Sequence, residues 1–473
     1  MNRKKELAMN TVILAVGKIC TQLINFFLLP LYTSLLTTDD YGVVDLFSTY
    51  TALLVPIFNW QLENGLFRFL LECREDRKRQ KIVFSTVFIA NIIQIVITVI
   101  FFCVLNYFSK INYQIFLAGD ISLTILMNTF FQLARGIGKN SIYAFGNFLM
   151  ASLTVAFNVI FIAFCGMGAK GMLFAFIVSK GLCILYLSAS LKIFKYFEFG
   201  FDKNEFKNLC KYSIPLVPNT LSWWIVGASD RTIISKILGI GLNGVYSVAN
   251  KFSTLYITMY NVFNLSWTES VSLHMEDKDS KEFLGETINI MFKLFTSIMI
   301  FIISFIPIVF TKFVNQKFSA AYYQIPILMV ASEFQVIVGL YSVIYVAKKK
   351  SSEIAKTSFY AAMVNIFIDI LLINKIGLFA GSVSTLMAYA VMAIYRYFHV
   401  KKYINIPLKK NNVIITTIVC CFTCIMYYIN NFYTNILSII FISLWALVYN
   451  YSFIKTVISN FSAFAKEKIL NRG

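Results

Sequence analysis

Along this chain the apolar residues come in blocks long enough to cross a bilayer, which takes roughly 20 residues of helix. The blocks fall at residues 12–36, 43–60, 82–105, 115–133, 145–165, 171–191, 212–237, 245–267, 290–311, 324–346, 357–373, 379–397, 413–429 and 436–454. They predict about fourteen transmembrane helices and an all-α, polytopic membrane protein. So many long blocks exceed any soluble core. The connections between them are short. The longest, residues 192–211, is expected as a loop without structure of its own, and 37–42 and 430–435 as turns.

Charge gives the blocks a direction. Lys and Arg mark the cytoplasmic side of a membrane protein. One set of alternate connections holds Arg3, Lys4 and Lys5, then 68–81, Arg135 with Lys139, 192–211, Lys278 with Lys281, Lys348 to Lys350, 396–410 and 466–472. The other set holds only Lys110, Lys170, Lys312, Lys317 and Lys375, with Lys236 at a helix end. The alternation persists through every crossing, so it supports the span count and places both ends in the cytoplasm. A net charge of +19 then has an explanation without nucleic acid, because basic loops face anionic headgroups. No cleavable signal peptide is expected, since the first apolar run is too long and lacks a small-residue cleavage site. The composition agrees: 58% hydrophobic and 14% charged, against about 45–50% and 25% in soluble domains.

The chain reads as internally duplicated. Leu36 to Val43 and Leu238 to Val245 share the pattern Leu-x5-Gly-Val. Trp60 with Glu63 and Trp267 with Glu269 close the following spans, and Asn158 with Gly168 and Gly171 parallels Asn365 with Gly377 and Gly381. The expected organisation is a six-helix bundle over 1–200, a second over 201–410, and two further helices with a cytoplasmic tail over 411–473. Transporters built from repeats place their substrate site between them.

Charges inside spans are costly and mark function. The basic ones are Lys18, Lys180, Arg231 and Lys251; the acidic ones are Asp230, Glu333 and Asp369, with Asp45 and Glu63 near the ends of the second span. Asp45, Glu63, Glu333 and Asp369 are all candidates for carrying a proton. Polar neighbours share their helical faces: Lys18 with Gln22 and Asn25; Lys251 with Thr254, Thr258, Asn261 and Thr268; Arg231 with Thr220, Trp224 and Gly227. Such stripes must face protein or water, not lipid. Interhelical hydrogen bonding is the competing explanation for each polar residue alone, and Asp230 as a neutraliser of Arg231 is another. The lysines, read as unpaired, point instead to a hydrated cationic cavity. Such a cavity repels cationic drugs and attracts a diphosphate. No P-loop, HExxH or GxSxG occurs, the two His (His274 and His399) lie in basic connections, and no outside loop is large enough to carry catalysis. A transporter rather than an enzyme is expected, without metal or cofactor. The Cys420, Cys421 and Cys424 group reads as small apolar residues in a helix.

The run Leu29-Pro30-Leu31-Tyr32-Thr33-Ser34-Leu35-Leu36 through Tyr41-Gly42-Val43-Val44 resembles the first-helix signature of Wzx-type polysaccharide flippases. Tyr212 to Pro218, Ser229-Asp230-Arg231 and Gly244 to Ala249 are similar to the seventh-helix region of that family, and residues 365–389 to its eleventh and twelfth helices. The resemblance implies membership of the multidrug/oligosaccharidyl-lipid/polysaccharide exporter superfamily and alternating access between two bundles. It implies transfer of undecaprenyl-diphosphate-linked oligosaccharide across a bacterial cytoplasmic (inner) membrane, feeding O-antigen or capsule. Expected partners are that lipid-linked oligosaccharide, membrane lipids, a polysaccharide polymerase and a chain-length regulator. Lys18 and the Asp230-Arg231 pair match basic-cavity positions of related lipid II flippases; Lys180 and Lys251 come from the charge pattern alone. Multidrug antiporters of the superfamily use a first-helix carboxylate, which residues 12–36 lack. A cation-coupled antiporter working through Glu333 or Asp369 is the alternative.

Overall fold

The computed structural model describes residues 26–108, 112–275, 277–348 and 350–455. Lys18, Gln22, Asn25 and the C-terminal tail lie outside the described residues. The helices are α1 (Leu29–Leu35), α2 (Thr38–Asn59), α3 (Leu62–Glu72), α4 (Arg77–Phe108), α5 (Gln114–Gly136), α6 (Asn140–Asn158) and α7 (Gly168–Leu191). They continue with α8 (Lys203–Ser213), α9 (Leu216–Ile237), α10 (Ile240–His274), α11 (Ser280–Phe313) and α12 (Ala321–Ala347). The last are α13 (Ser351–Ile376), α14 (Phe379–Val400), α15 (Lys410–Ile429) and α16 (Phe432–Tyr449). No strand occurs among the described residues.

Ten of the described helices are long and apolar enough to cross a bilayer. α9, α10 and α14 have the length but are more polar, and α9 and α10 carry the stripes noted above. Their backbone groups are satisfied within the helix, as a membrane segment requires. Apolar side chains point outward along α4, where Ile93, Val96, Ile97 and Ile100 are exposed. Such a face suits lipid.

Contacts divide the chain into two compact units. The first is Met1–Val248 with Ser358–Ser384; the second is Ala249–Thr357 with Thr385–Gly473. In the first unit α7 packs against α5 and α6, α3 against α5, and α2 against α9. Its core joins Leu62, Leu66 and Leu70 of α3 to Phe84 of α4, Phe130 of α5 and Leu187 of α7. Residues 192–211 are more ordered than a plain loop. Asp202 caps α8 by accepting the amides of Asn204 and Glu205 at 2.9 Å, and Leu209 is fully buried. The turn expected at 37–42 is instead a capped helix start. Thr37 Oγ1 accepts the Asp40 amide at 3.0 Å, and the Asp40 carboxylate accepts the Thr37 amide at 3.3 Å. Asp40 Oδ1 also accepts the Ala169 amide at 3.2 Å, so one carboxylate serves the first turns of two helices.

Trp60 and Gln61 both take left-handed backbone, at φ 54° and 58°, and break α2 from α3. Asn59 donates to Glu63 across the break, and Gln61 reaches Thr220 of α9 at 2.9 Å. In the second repeat the matching Trp267 sits inside an unbroken α10.

The second unit centres on α11, which packs against α12, α15 and α16. Tyr322 of α12 and Tyr427 of α15 stack at 4.2 Å, and each hydroxyl donates to the other's carbonyl, at 2.8 and 2.7 Å. Charge counting along the sequence puts Arg396 among the solvated basic connections; it is instead fully buried. Its guanidinium donates to Thr357 Oγ1 at 3.0 and 2.8 Å, to Ser342 and to the Ile354 carbonyl. A buried charge is tolerated when its donors are met in this way.

Candidate functional site

The duplicated Gly-Val motifs meet each other in the first unit. Gly42 opens α2 and Gly244 opens α10. A Cβ at Gly42 would overlap the Ile240 carbonyl, and one at Gly244 would overlap the Thr38 carbonyl and come within 2.9 Å of the Gly42 amide. Glycine is therefore required at both positions, because only its missing side chain lets the two helix starts approach so closely.

One turn further along α2 is Asp45, buried at 8% exposure. Its Oδ1 accepts from Ser247 at 2.6 Å and from Arg231 Nη1 at 3.1 Å; its Oδ2 accepts from Asn243 at 3.3 Å. Arg231 Nη1 also reaches Thr49 Oγ1 at 3.3 Å, and Trp224 donates to the Thr49 carbonyl at 2.9 Å. Thus the stripe of α9 expected from spacing folds against α2. The salt bridge of Arg231 goes to Asp45 and not to its neighbour Asp230, whose carboxylate lies within electrostatic range of the guanidinium and accepts the Arg231 backbone amide and the Tyr246 hydroxyl. Adjacent residues on a helix point 100° apart, so the salt bridge forms across helices instead. Arg231 keeps 20% of its side chain exposed, and its Nε has no hydrogen-bond partner.

Lys180 is the clearest departure from the sequence reading. It is not unpaired: Nζ stands 2.5 Å from Asp120 Oδ1 and 2.8 Å from Thr124 Oγ1, while Thr51 donates to Asp120 Oδ2 at 2.9 Å. A charge at membrane depth is stabilised by a charge on the next helix. Asp120 is absent from the sequence-based set of in-span charges, although Asp120 and Thr124 form an i, i+4 polar pair on α5 that could have signalled it.

Asp369 of α13 is fully buried, with neither oxygen hydrogen-bonded. It lies within electrostatic range of Asp230. Around it Ser229 Oγ donates to Asn365 at 3.0 Å, and Asn365 reaches Ser384 at 3.4 Å. Glu333 is in the second unit and is held, one oxygen by the Tyr256 hydroxyl and the other by Thr296 Oγ1 at 2.7 Å.

Lys251, Thr258 and Asn261 also belong to the second unit, on α10. Lys251 and Thr258 are half-buried; Thr254 and Asn261 are exposed. The Thr254 and Thr258 hydroxyls bond their own helix, to Asn250 and Thr254 carbonyls at 2.8 Å. These two threonines are therefore not glue between helices. The candidate basic residues thus fall on both units, Lys180 and Arg231 on the first and Lys251 on the second. Among the described residues no His/Cys/Asp/Glu group suits a metal ion.

Fold and site together define a polytopic, all-α membrane protein with buried, cross-linked charges. A model of the family described as "Polysaccharide biosynthesis protein" matches residues 7–268, and the chain belongs to that family. No curated protein matches the chain. Among solved structures it is similar to the lipid II flippase MurJ in an inward closed conformation, at 15% identity and TM-score 0.69, covering 95% of this chain and 100% of that one. It is similar to an inward-facing multidrug resistance transporter of the MATE family and MOP superfamily, at 14% identity and TM-score 0.69, covering 82% and 98%. A MOP superfamily transporter from Pyrococcus furiosus matches at 14% identity and TM-score 0.59, covering 83% and 95%. These identities establish a shared fold.

Proposed function

We propose that this protein is a flippase for undecaprenyl-diphosphate-linked oligosaccharide repeat units, of O-antigen or capsule, in a bacterial cytoplasmic membrane. The basic connections and both termini lie in the cytoplasm in this reading. Bundles over 1–200 and 201–410 alternate access, with 411–473 adding two helices. The observation that carries the reading is Arg231, a guanidinium whose side chain is 20% exposed, with Nη1 on Asp45 at 3.1 Å and a buried Nε that has no hydrogen-bond partner. Such a fork suits phosphate oxygens. A diphosphate competing with Asp45 for Arg231 would loosen the tie between α2 and α9. Lys251, Thr258 and Asn261 of α10, and Lys18, Gln22 and Asn25, are further candidate substrate contacts on sequence grounds alone. Lys180 would act as a ligand only by leaving Asp120. The likeness of fold to a lipid II flippase agrees with a lipid-linked substrate. A polymerase and a chain-length regulator are the partners expected to receive the unit.

Coupling to an ion gradient is assigned to Asp369, whose unpartnered carboxylate suits a carried proton or cation. Glu333, held by two hydroxyls, is the weaker candidate. The same feature of Asp369 favours a second reading, a cation-coupled multidrug antiporter.

The test is complementation of a strain lacking its O-unit flippase. Restored long-chain laddering that is lost in Arg231→Ala, with the variant still in the membrane, supports the flippase. Drug resistance on expression, lost in Asp369→Asn and without laddering, supports the antiporter.

A further inference from the structure

The second unit contains a cavity of about 820 Å³ between α11, α12, α14 and α15. Its wall is largely carbon, with Val330, Ile337, Ile394, Phe398 and Ile414 among the lining residues. Ile394, Phe398 and Ile414 are also exposed, so the cavity opens sideways, as a groove at membrane depth. It follows α15 from Lys410, the first residue of the helix, to Cys424. Those fourteen positions rise about 21 Å. One leaflet of hydrocarbon is about 15 Å deep, so the groove reaches through one leaflet and its interface.

One end of the groove is basic. Lys410 lines it, and Lys401 places Nζ 4.5 Å over the Tyr397 ring and 4.8 Å over the Phe398 ring, both of which form its wall. Glu333, the acid in the lining, is already engaged by Tyr256 and Thr296. A polar solute would find few orienting groups in such a wall. A long polyprenyl chain would overrun a groove of single-leaflet depth. An acyl chain with a negative headgroup matches both the length and the charge.

We infer that this groove binds an anionic membrane phospholipid, with an acyl chain along α15 and the phosphate at Lys401 and Lys410. The inference does not depend on what the protein transports. The full-length protein in detergent is titrated separately with phosphatidylglycerol, phosphatidylcholine and undecaprenyl phosphate, and bound lipid is read by native mass spectrometry. Phosphatidylglycerol binds in preference to phosphatidylcholine, and Lys401→Ala with Lys410→Ala weakens it about 30-fold, as two interfacial charges would. Ile414→Trp, which fills the groove, removes phosphatidylglycerol while the protein still elutes as a single species. Equal binding of the two phospholipids, undiminished binding in the double lysine variant, or displacement of phosphatidylglycerol by undecaprenyl phosphate overturns the inference.

Discussion

Arg231 on α9 and Asp45 on α2 stand 3.1 Å apart, Nη1 to Oδ1, although 186 positions separate them in sequence. Ser247 and Asn243, at the start of α10, complete the carboxylate's shell. One acid therefore ties the opening turns of both Gly-Val motifs to the polar seam of α9. Arg231→Lys keeps the charge but not the planar fork, and cannot hold Asp45 while offering a second edge to phosphate. Arg231→Lys is expected to retain membrane levels with reduced laddering, and Arg231→Ala to lose laddering. Full laddering in the alanine variant removes Arg231 from the transport path.

The Lys180–Asp120 pair separates support from substrate contact. Lys180→Met leaves a buried carboxylate behind, and removing one partner of such a pair costs roughly 3–5 kcal/mol. Adding Asp120→Leu should recover most of that stability, measured as the melting temperature in detergent. Recovered stability with recovered transport means that Lys180 is structural only. Recovered stability without transport assigns it to the substrate path.

Gly42→Ala and Gly244→Ala each push a methyl group into a backbone carbonyl. Overpacking of this kind costs about 1–3 kcal/mol. At Gly181, in the middle of α7, an added methyl group would meet nothing within 4 Å, so Gly181→Ala is the matched control. Thermal melting should fall for the first two variants and hold or rise for the third. A Gly42→Ala protein as stable as the parent contradicts the close approach of the two motifs.

Asp369→Asn replaces a buried carboxyl group that no hydrogen bond satisfies. An isolated buried carboxylate is costly, so the variant is expected to melt no lower than the parent. In proteoliposomes its transport should lose its dependence on an imposed proton or cation gradient. Gradient dependence that survives in Asp369→Asn but vanishes in Glu333→Gln moves the coupling role to Glu333.

The apolar blocks by themselves determined that the chain is a bundle of membrane helices, because crossing a bilayer demands a length and a composition that little else imitates. They also gave the polar faces of α9 and α10, since a period of 3.6 residues is local. The Gly-Val repeats are visible as a pattern in the sequence, but their mutual contact is not. Likewise, Lys180 reads as unpaired until α5 brings Asp120 beside it, the salt bridge of Arg231 to Asp45 has no signal in the sequence, and Arg396 counts among solvated charges. Those outcomes were decided by the tertiary structure. A helical period says which residues share a face, but which face meets which is set by packing across helices far apart in sequence, and at membrane depth that packing decides which charges find partners.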